Sequence, residues 1–169
     1  FLPHYWGANS DWLDTRDLIP HRRPTCMSED GKGNLWIGTY SGLSRLNQAD
    51  AAQGFAHYLH DENDPHSISH DFVRTIHADS AGNVWIGTNG GGLNRYDRET
   101  NAFLAYTEED GLPDNTIYGI LGGPDGELWL STRRGIASFD PLTGSLRNYD
   151  VQDGLQGSEF NPGAYFQSE

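Results

Sequence analysis

The sequence predicts an all-β chain of repeated four-stranded units, and three observations carry that prediction. The first is a recurring segment. Gly33-Asn34-Leu35-Trp36-Ile37-Gly38-Thr39 returns as Gly82-Asn83-Val84-Trp85-Ile86-Gly87-Thr88, and more loosely as Gly126-Glu127-Leu128-Trp129-Leu130-Ser131-Thr132. The three tryptophans lie 49 and 44 residues apart, a repeat period that signals stacked supersecondary units. The second is composition: 21 glycines and 12% aromatics suit short strands joined by tight turns. The third is punctuation. A glycine turn precedes each copy (Asp30-Gly31-Lys32-Gly33, Asp79-Ser80-Ala81-Gly82, Pro124-Asp125-Gly126), and a glycine-aliphatic pair follows it (Gly42-Leu43, Gly92-Leu93, Gly135-Ile136).

Each element follows from these marks. The glycine turn separates a first strand from the Trp strand, the glycine-aliphatic pair opens a third, and an aromatic-ended fourth closes on Tyr58, Tyr106 or Tyr149. In the second unit the predicted strands are 73–79, 83–88, 92–98 and 102–108, short, rich in β-branched and aromatic residues, and bounded by turn formers. No segment sustains a capped 3.6-residue periodicity. Four-stranded units of this length are β-propeller blades. The reading is therefore one β-propeller domain across residues 1–169. Complete four-stranded antiparallel blades lie at about 24–60, 71–108 and 115–150, with partial blades at 1–6 and 160–169. Propellers close with about four to eight blades. The expected partner of these blades is therefore the remainder of a larger propeller or another copy of the chain.

Charge and cysteine count narrow the function classes. Eleven basic residues against 24 acidic ones give a formal charge of −13, which argues against a nucleic-acid surface. The single Cys26 rules out an internal disulfide, and no Cys/His spacing fits a structural zinc site. No apolar run reaches the roughly 18 residues of a membrane helix. The chain starts at Phe1 without a recognisable targeting segment and reads as a fragment.

The segment Gly-Asn-Leu-Trp-Ile-Gly-Thr followed by Gly-Leu resembles the two-component regulator propeller repeat. So do Gly91-Gly92-Leu93-Asn94-Arg95-Tyr96-Asp97 and the phrase Asp110-Gly111-Leu112-Pro113-Asp114-Asn115. The stretch Asp153-Gly154-Leu155-Gln156-Gly157-Ser158-Glu159-Phe160-Asn161-Pro162-Gly163-Ala164 resembles the last blade of such a propeller. The resemblance covers roughly 24–169; Ser131 stands where the repeat usually has glycine. It implies a periplasmic sensor region of a membrane receptor, followed in relatives by an immunoglobulin-like domain, a membrane helix and a histidine kinase or diguanylate cyclase. Many relatives respond to carbohydrates. The resemblance supplies no transferable set of binding residues.

Trp36, Trp85 and Trp129 could stack on sugars, but a recurrent position is a packing position, so all three are expected in the core. His57, His60, His66 and His70 surround the acidic run Asp61-Glu62-Asn63-Asp64, which lacks the order of a calcium loop. A solvated polar loop is expected, with no metal and no cofactor. Asp79-Ser80-Ala81-Gly82 resembles the Asp box of sialidase propellers, but the aspartate falls one residue early and no arginine cluster accompanies it. No nucleophile stands with a base, so an enzyme is not expected; a propeller hydrolase or lyase is the weakest reading.

Divergence marks the candidate site. Between the second and third strands the copies differ: Tyr40-Ser41, Asn89-Gly90-Gly91 and Arg133-Arg134. Variable loops on a regular scaffold are where binding is grafted. Tyr40, Asn89, Arg133 and Arg134 are the expected ligand-binding residues, for a small polar ligand such as an oligosaccharide. A scaffold propeller without a small-molecule ligand is the alternative.

Overall fold

The computed structural model describes residues 23–157 and Phe160. It contains twelve strands: β1 Pro24–Glu29, β2 Asn34–Thr39, β3 Gly42–Asn47, β4 Phe55–Tyr58, β5 Val73–Ala78, β6 Val84–Thr88, β7 Leu93–Asp97, β8 Ala102–Tyr106, β9 Ile117–Gly122, β10 Leu128–Thr132, β11 Gly135–Phe139 and β12 Leu146–Tyr149. They form three four-stranded antiparallel sheets, each in simple chain order. Among the described residues the only helical segments are short 3-10 turns. The partial blade expected at 1–6, and that at 160–169 apart from Phe160, lie outside the described residues.

Register repeats from blade to blade. Trp36 pairs with Ser28 and Arg45, Trp85 with His77 and Arg95, and Trp129 with Leu121 and Ser138. Each first strand also carries one extra residue at the same place. Pairing jumps past Thr25 in β1, past Arg74 in β5 and past Tyr118 in β9. A bulge of this kind bends the strand and re-aims the side chain at its apex. The first strands β1, β5 and β9 lie side by side across blades and form the inner edge of the stack.

The sequence ends the first strand of the second unit at Asp79, yet β5 stops at Ala78. The reason is chemical. Asp79 leaves the ladder so that its carboxylate can accept the indole Nε1–H of Trp85 at 2.9 Å, the Asn83 side-chain amide at 2.8 Å and the Asn83 backbone N–H at 2.8 Å. Asp30 does the same for Trp36 Nε1 at 2.8 Å and Asn34, and also receives Arg98 Nη2 from the second blade at 2.6 Å. A buried indole needs such an acceptor. In the third blade Gly123 takes the aspartate position, and Glu127 substitutes: its Oε1 accepts Trp129 Nε1 at 3.2 Å. A Cβ on Gly123 would collide with that carboxylate.

The clamped indoles build the blade interfaces. Trp36 packs edge-on against Tyr96 of the second blade at 4.8 Å, and Tyr58 meets Phe103 at 5.2 Å. Trp85 meets Phe139 of the third blade at 5.5 Å, and Tyr106 meets it at 4.8 Å. Gly38 and Gly87 permit the close approach. A Cβ on Gly38 would lie 2.5 Å from Val73 Cγ1, and one on Gly87 2.8 Å from Ile117 Cγ2.

Trp36 and Trp85 are fully buried, whereas Trp129 is 37% exposed. The expectation of three buried tryptophans is therefore corrected for the third. Trp129 holds the equivalent register and stacks on Tyr149 of its own blade at 5.5 Å, but no neighbouring blade covers it among the described residues. Burial belongs to the interface, not to the motif.

Two outcomes follow from the clamp. Trp85→Ala should lower stability by about 3–5 kcal/mol in denaturant melts, through lost packing and a cavity, and Trp129→Ala by clearly less. The second concerns acid. Burial alone would raise the Asp30 and Asp79 carboxyl pKa values, but the tryptophan indole N–H and the other donors around each outweigh it and hold both below the usual carboxylate range. A folded pKa below the unfolded value of about 4 adds stability that is present above pH 4 and lost as pH falls below it. Asp79→Asn should lower stability at neutral pH and flatten the loss below pH 4, as read from melts across pH.

Candidate functional site

The divergent turns sit on a constant frame. In every blade the threonine ending the Trp strand donates its Oγ1–H to the carbonyl of the glycine that begins or precedes the third strand: Thr39 to Gly42, Thr88 to Gly92, and Thr132 to Gly135, at 2.9–3.0 Å. The same oxygen accepts a turn N–H, from Ser41, Gly91 or Arg134. With the backbone fixed by threonine, the turn side chains are not needed to close the turn.

The connections between blades run across the same end. Gly42 N–H donates to the Asp71 carbonyl at 2.7 Å, Asn89 N–H to that of Phe72 at 2.9 Å, Gly90 N–H to that of Asn115 at 3.0 Å and Arg133 N–H to that of Thr116 at 3.3 Å. Asn89 also forms an isolated bridge with Thr116. Turns from all three blades, the two interblade connections and the bulged starts of β5 and β9 therefore converge.

All four expected residues lie on this end, but the structure joins them through residues the sequence reading missed. Tyr40, 49% exposed, stacks on Phe72 at 4.3 Å. The guanidinium of Arg74, at the bulge apex, lies 4.6 Å from the Phe72 ring centre and 4.9 Å from that of Tyr118, the next bulge residue. Cation–π contact with both rings restrains it. Asn89 Oδ1 then accepts both Arg74 Nε and Nη2, at 2.8 and 2.6 Å, so Asn89 orients Arg74. Arg133 donates from Nε to Asp114 Oδ2 at 3.0 Å, and Arg134 Nε lies 3.8 Å from the same oxygen. Asp114 is buried and its other oxygen accepts Thr116 N–H at 2.7 Å. The two arginines keep 59% and 65% of their side chains exposed.

A signal for the missed residues was present. Thr25, Arg74 and Tyr118 each fall 11 residues before the repeat tryptophan, just as Tyr40, Asn89 and Arg133 each fall four after it. Only the bulge explains why the earlier position should vary, since in a regular strand it would be one more ladder residue.

The histidines serve local structure. His57 Nδ1 bonds Ser44 Oγ at 3.0 Å, His60 Nδ1 the Ile68 carbonyl at 2.9 Å, and His70 Nδ1 accepts Phe72 N–H at 3.0 Å. Among the described residues no three His, Cys, Asp or Glu side chains converge to hold a metal ion. What the site offers is planar aromatic surface beside guanidinium donors. That pairing is chemically suited to polar, planar or ring-shaped ligands.

Asp114 and Arg133 contribute unequally. Asp114→Ala should cost about 1–3 kcal/mol, since it strips a buried acceptor from Thr116 N–H and two guanidinium groups. Arg133→Gln removes an exposed partner and should cost less than about 1 kcal/mol. Chemical denaturation of the two variants checks the order.

The family model described as two-component regulator propeller matches residues 18–41, 67–90 and 111–134. Each match ends within a divergent turn or just after it. Histidine kinase P4 of Formosa agariphila is 29% identical over 176 residues, covering 75% of this chain and 13% of the kinase. The extracellular domain assigned to a hybrid two-component system of B. thetaiotaomicron superposes with a TM-score of 0.74 at 25% identity, over 87% of this chain and 21% of that one. Virginiamycin B lyase from Staphylococcus aureus shares the fold alone, at 22% identity and a TM-score of 0.58, over 80% of this chain and 43% of the lyase. The chain thus spans a small part of the kinase and of the extracellular domain.

Proposed function

The chain belongs to the two-component regulator propeller family, and on that premise we propose that it is a ligand-sensing segment of an extracytoplasmic receptor propeller. The observation that carries the proposal is the convergence of Tyr40, Phe72, Arg74, Asn89, Tyr118, Arg133 and Arg134 from three blades on one end. These side chains vary over an invariant threonine-fixed frame, which is the pattern expected of a grafted binding site. The ligand class is small and polar, an oligosaccharide above all: the exposed Tyr40 ring suits the C–H face of a sugar, and the guanidinium groups suit its oxygens. The likeness to an extracellular sensor domain supports a periplasmic location. Catalysis is not part of this reading, because the site brings together no nucleophile with a base and no pair of carboxylates poised around a common point.

Partner and domain readings extend the same proposal. Residues 1–169 form part of one propeller, and the Trp129 face packs on a further blade or another copy. Support comes from Trp129 itself, which occupies the register whose two other examples are fully covered. The alternative, a scaffold without a small-molecule ligand, is favoured by the ion pairs that engage Arg133 and Arg134 with Asp114.

Calorimetric titration with a set of neutral and acidic oligosaccharides separates the two. Binding by at least one member is expected, and Tyr40→Ala should weaken it about tenfold, or about 1.4 kcal/mol, with the melting temperature unchanged. Absence of binding up to millimolar concentration, or binding indifferent to Tyr40→Ala, favours the scaffold.

A further inference from the structure

Acidic residues outnumber basic ones 24 to 11 in this chain, yet Arg74, Arg133 and Arg134 stand at the same end of the blades. Their hydrogen bonding is far from saturated. A guanidinium has five N–H donors. Arg74 uses Nε and Nη2 on Asn89 Oδ1, and Arg133 uses Nε on Asp114. Arg134 Nε reaches the same carboxylate only at 3.8 Å. Among the described residues, both Nη groups of Arg133 and of Arg134 have no hydrogen-bond acceptor, on side chains that are more than half exposed.

The three carboxylates bonded nearest the arginines already hold protein donors. Asp114 accepts Thr116 N–H as well as Arg133, Asp71 accepts His60 N–H at 2.8 Å, and Glu108 accepts Asn115 N–H at 3.2 Å. The most restrained member is Arg74, in contact with two rings and tied by Asn89, and preorganised donors lose little entropy on binding.

We infer that the site selects saccharides carrying a carboxylate or sulfate group. The Nη groups of Arg133 and Arg134 take the anion as a fork, and the exposed Tyr40 ring, continued by Phe72, carries the sugar ring. Arg74 is a positioning residue: its bulge and its two flanking rings join the Tyr40–Phe72 surface to Tyr118 in the third blade. Bidentate guanidinium–anion contacts are stronger than neutral ones and are directional, so they discriminate charged from neutral sugars of the same shape. The inference rests on the proposed ligand site and adds its charge selectivity.

The test uses the full chain and four probes: α-1,4-linked trigalacturonate, the corresponding neutral galactose trimer, a sulfated galactose trimer and inorganic sulfate. Calorimetry at low and at physiological salt should show the acidic trimers binding at least tenfold tighter than the neutral one, with affinity falling as salt rises. The Arg133→Gln/Arg134→Gln pair should remove that preference, costing the acidic trimers at least tenfold more affinity than the neutral one, in a variant that still melts cooperatively. Arg74→Gln should weaken all three trimers about equally, because it loosens the platform. Equal binding of neutral and acidic trimers, sensitive to Tyr40→Ala, overturns the charge selectivity and leaves the ligand site standing. Acidic binding unaffected by the double variant overturns the selectivity as placed here. Sulfate binding as tightly as the sulfated trimer overturns the saccharide component. Failure of every trimer to bind overturns both the selectivity and the site.

Discussion

The hydrogen bond between a turn carboxylate and a buried tryptophan indole is the constraint on which the rest of the architecture depends. Asp30 and Asp79 reach back from the first turn of their blades to hold Trp36 and Trp85, and they satisfy the Asn34 and Asn83 backbone N–H groups on the way. With its one polar atom satisfied, the indole can present its apolar surface to the next blade at no cost in unpaired hydrogen bonding. Tyr96 and Phe139 meet that surface. Blade spacing, the adjacency of β1, β5 and β9, and the alignment of the turns at one end all follow. The third blade keeps the interaction with a different residue. Gly123 vacates the position and Glu127 supplies the carboxylate from two residues before Trp129, so what is retained is the acceptor, not the residue.

Framework and site are separated within each blade. Threonine hydroxyls close the turns and glycines allow the close approach of the next blade, so neither duty falls on Tyr40, Asn89, Arg133 or Arg134. The bulge extends the separation to the inner strand. Because pairing passes over Thr25, Arg74 and Tyr118, those positions can change without disturbing the ladder. In the first blade the bulge residue is a small hydroxyl that donates to the Val73 carbonyl at 2.6 Å. In the second and third it is a cation and an aromatic ring in contact with each other. One backbone device thus performs a stitching role in one blade and builds the candidate site in the others.

A site assembled from three blades has a property that a site within one blade lacks. Tyr40, Arg74 and Tyr118 hold their mutual geometry only while the Trp36 and Trp85 interfaces hold theirs. A ligand touching all three binds with different free energy when blade spacing changes, which is the thermodynamic requirement for converting occupancy into a conformational signal. The proposed ligand site and the packing of the blades therefore depend on the same interfaces.

The repeat made the fold legible. Four strands per blade, the turn glycines, the tryptophan register and the location of the variable turns were all visible in the spacing of Gly, Trp and Thr, because these are local requirements of strand, turn and ladder geometry. The identity of the turn residues Tyr40, Asn89, Arg133 and Arg134 was visible for the same reason. What they touch was not. That Asn89 holds Arg74, that Arg133 and Arg134 share the buried Asp114, and that Tyr118 meets the Arg74 guanidinium depend on contacts between residues well separated in sequence, brought together only when the blades fold and stack. Trp129 marks the boundary between the two kinds of information. Its motif fixed its register and its carboxylate partner, but whether its ring is buried depends on what packs against it, and a residue's burial is a property of its neighbours in space.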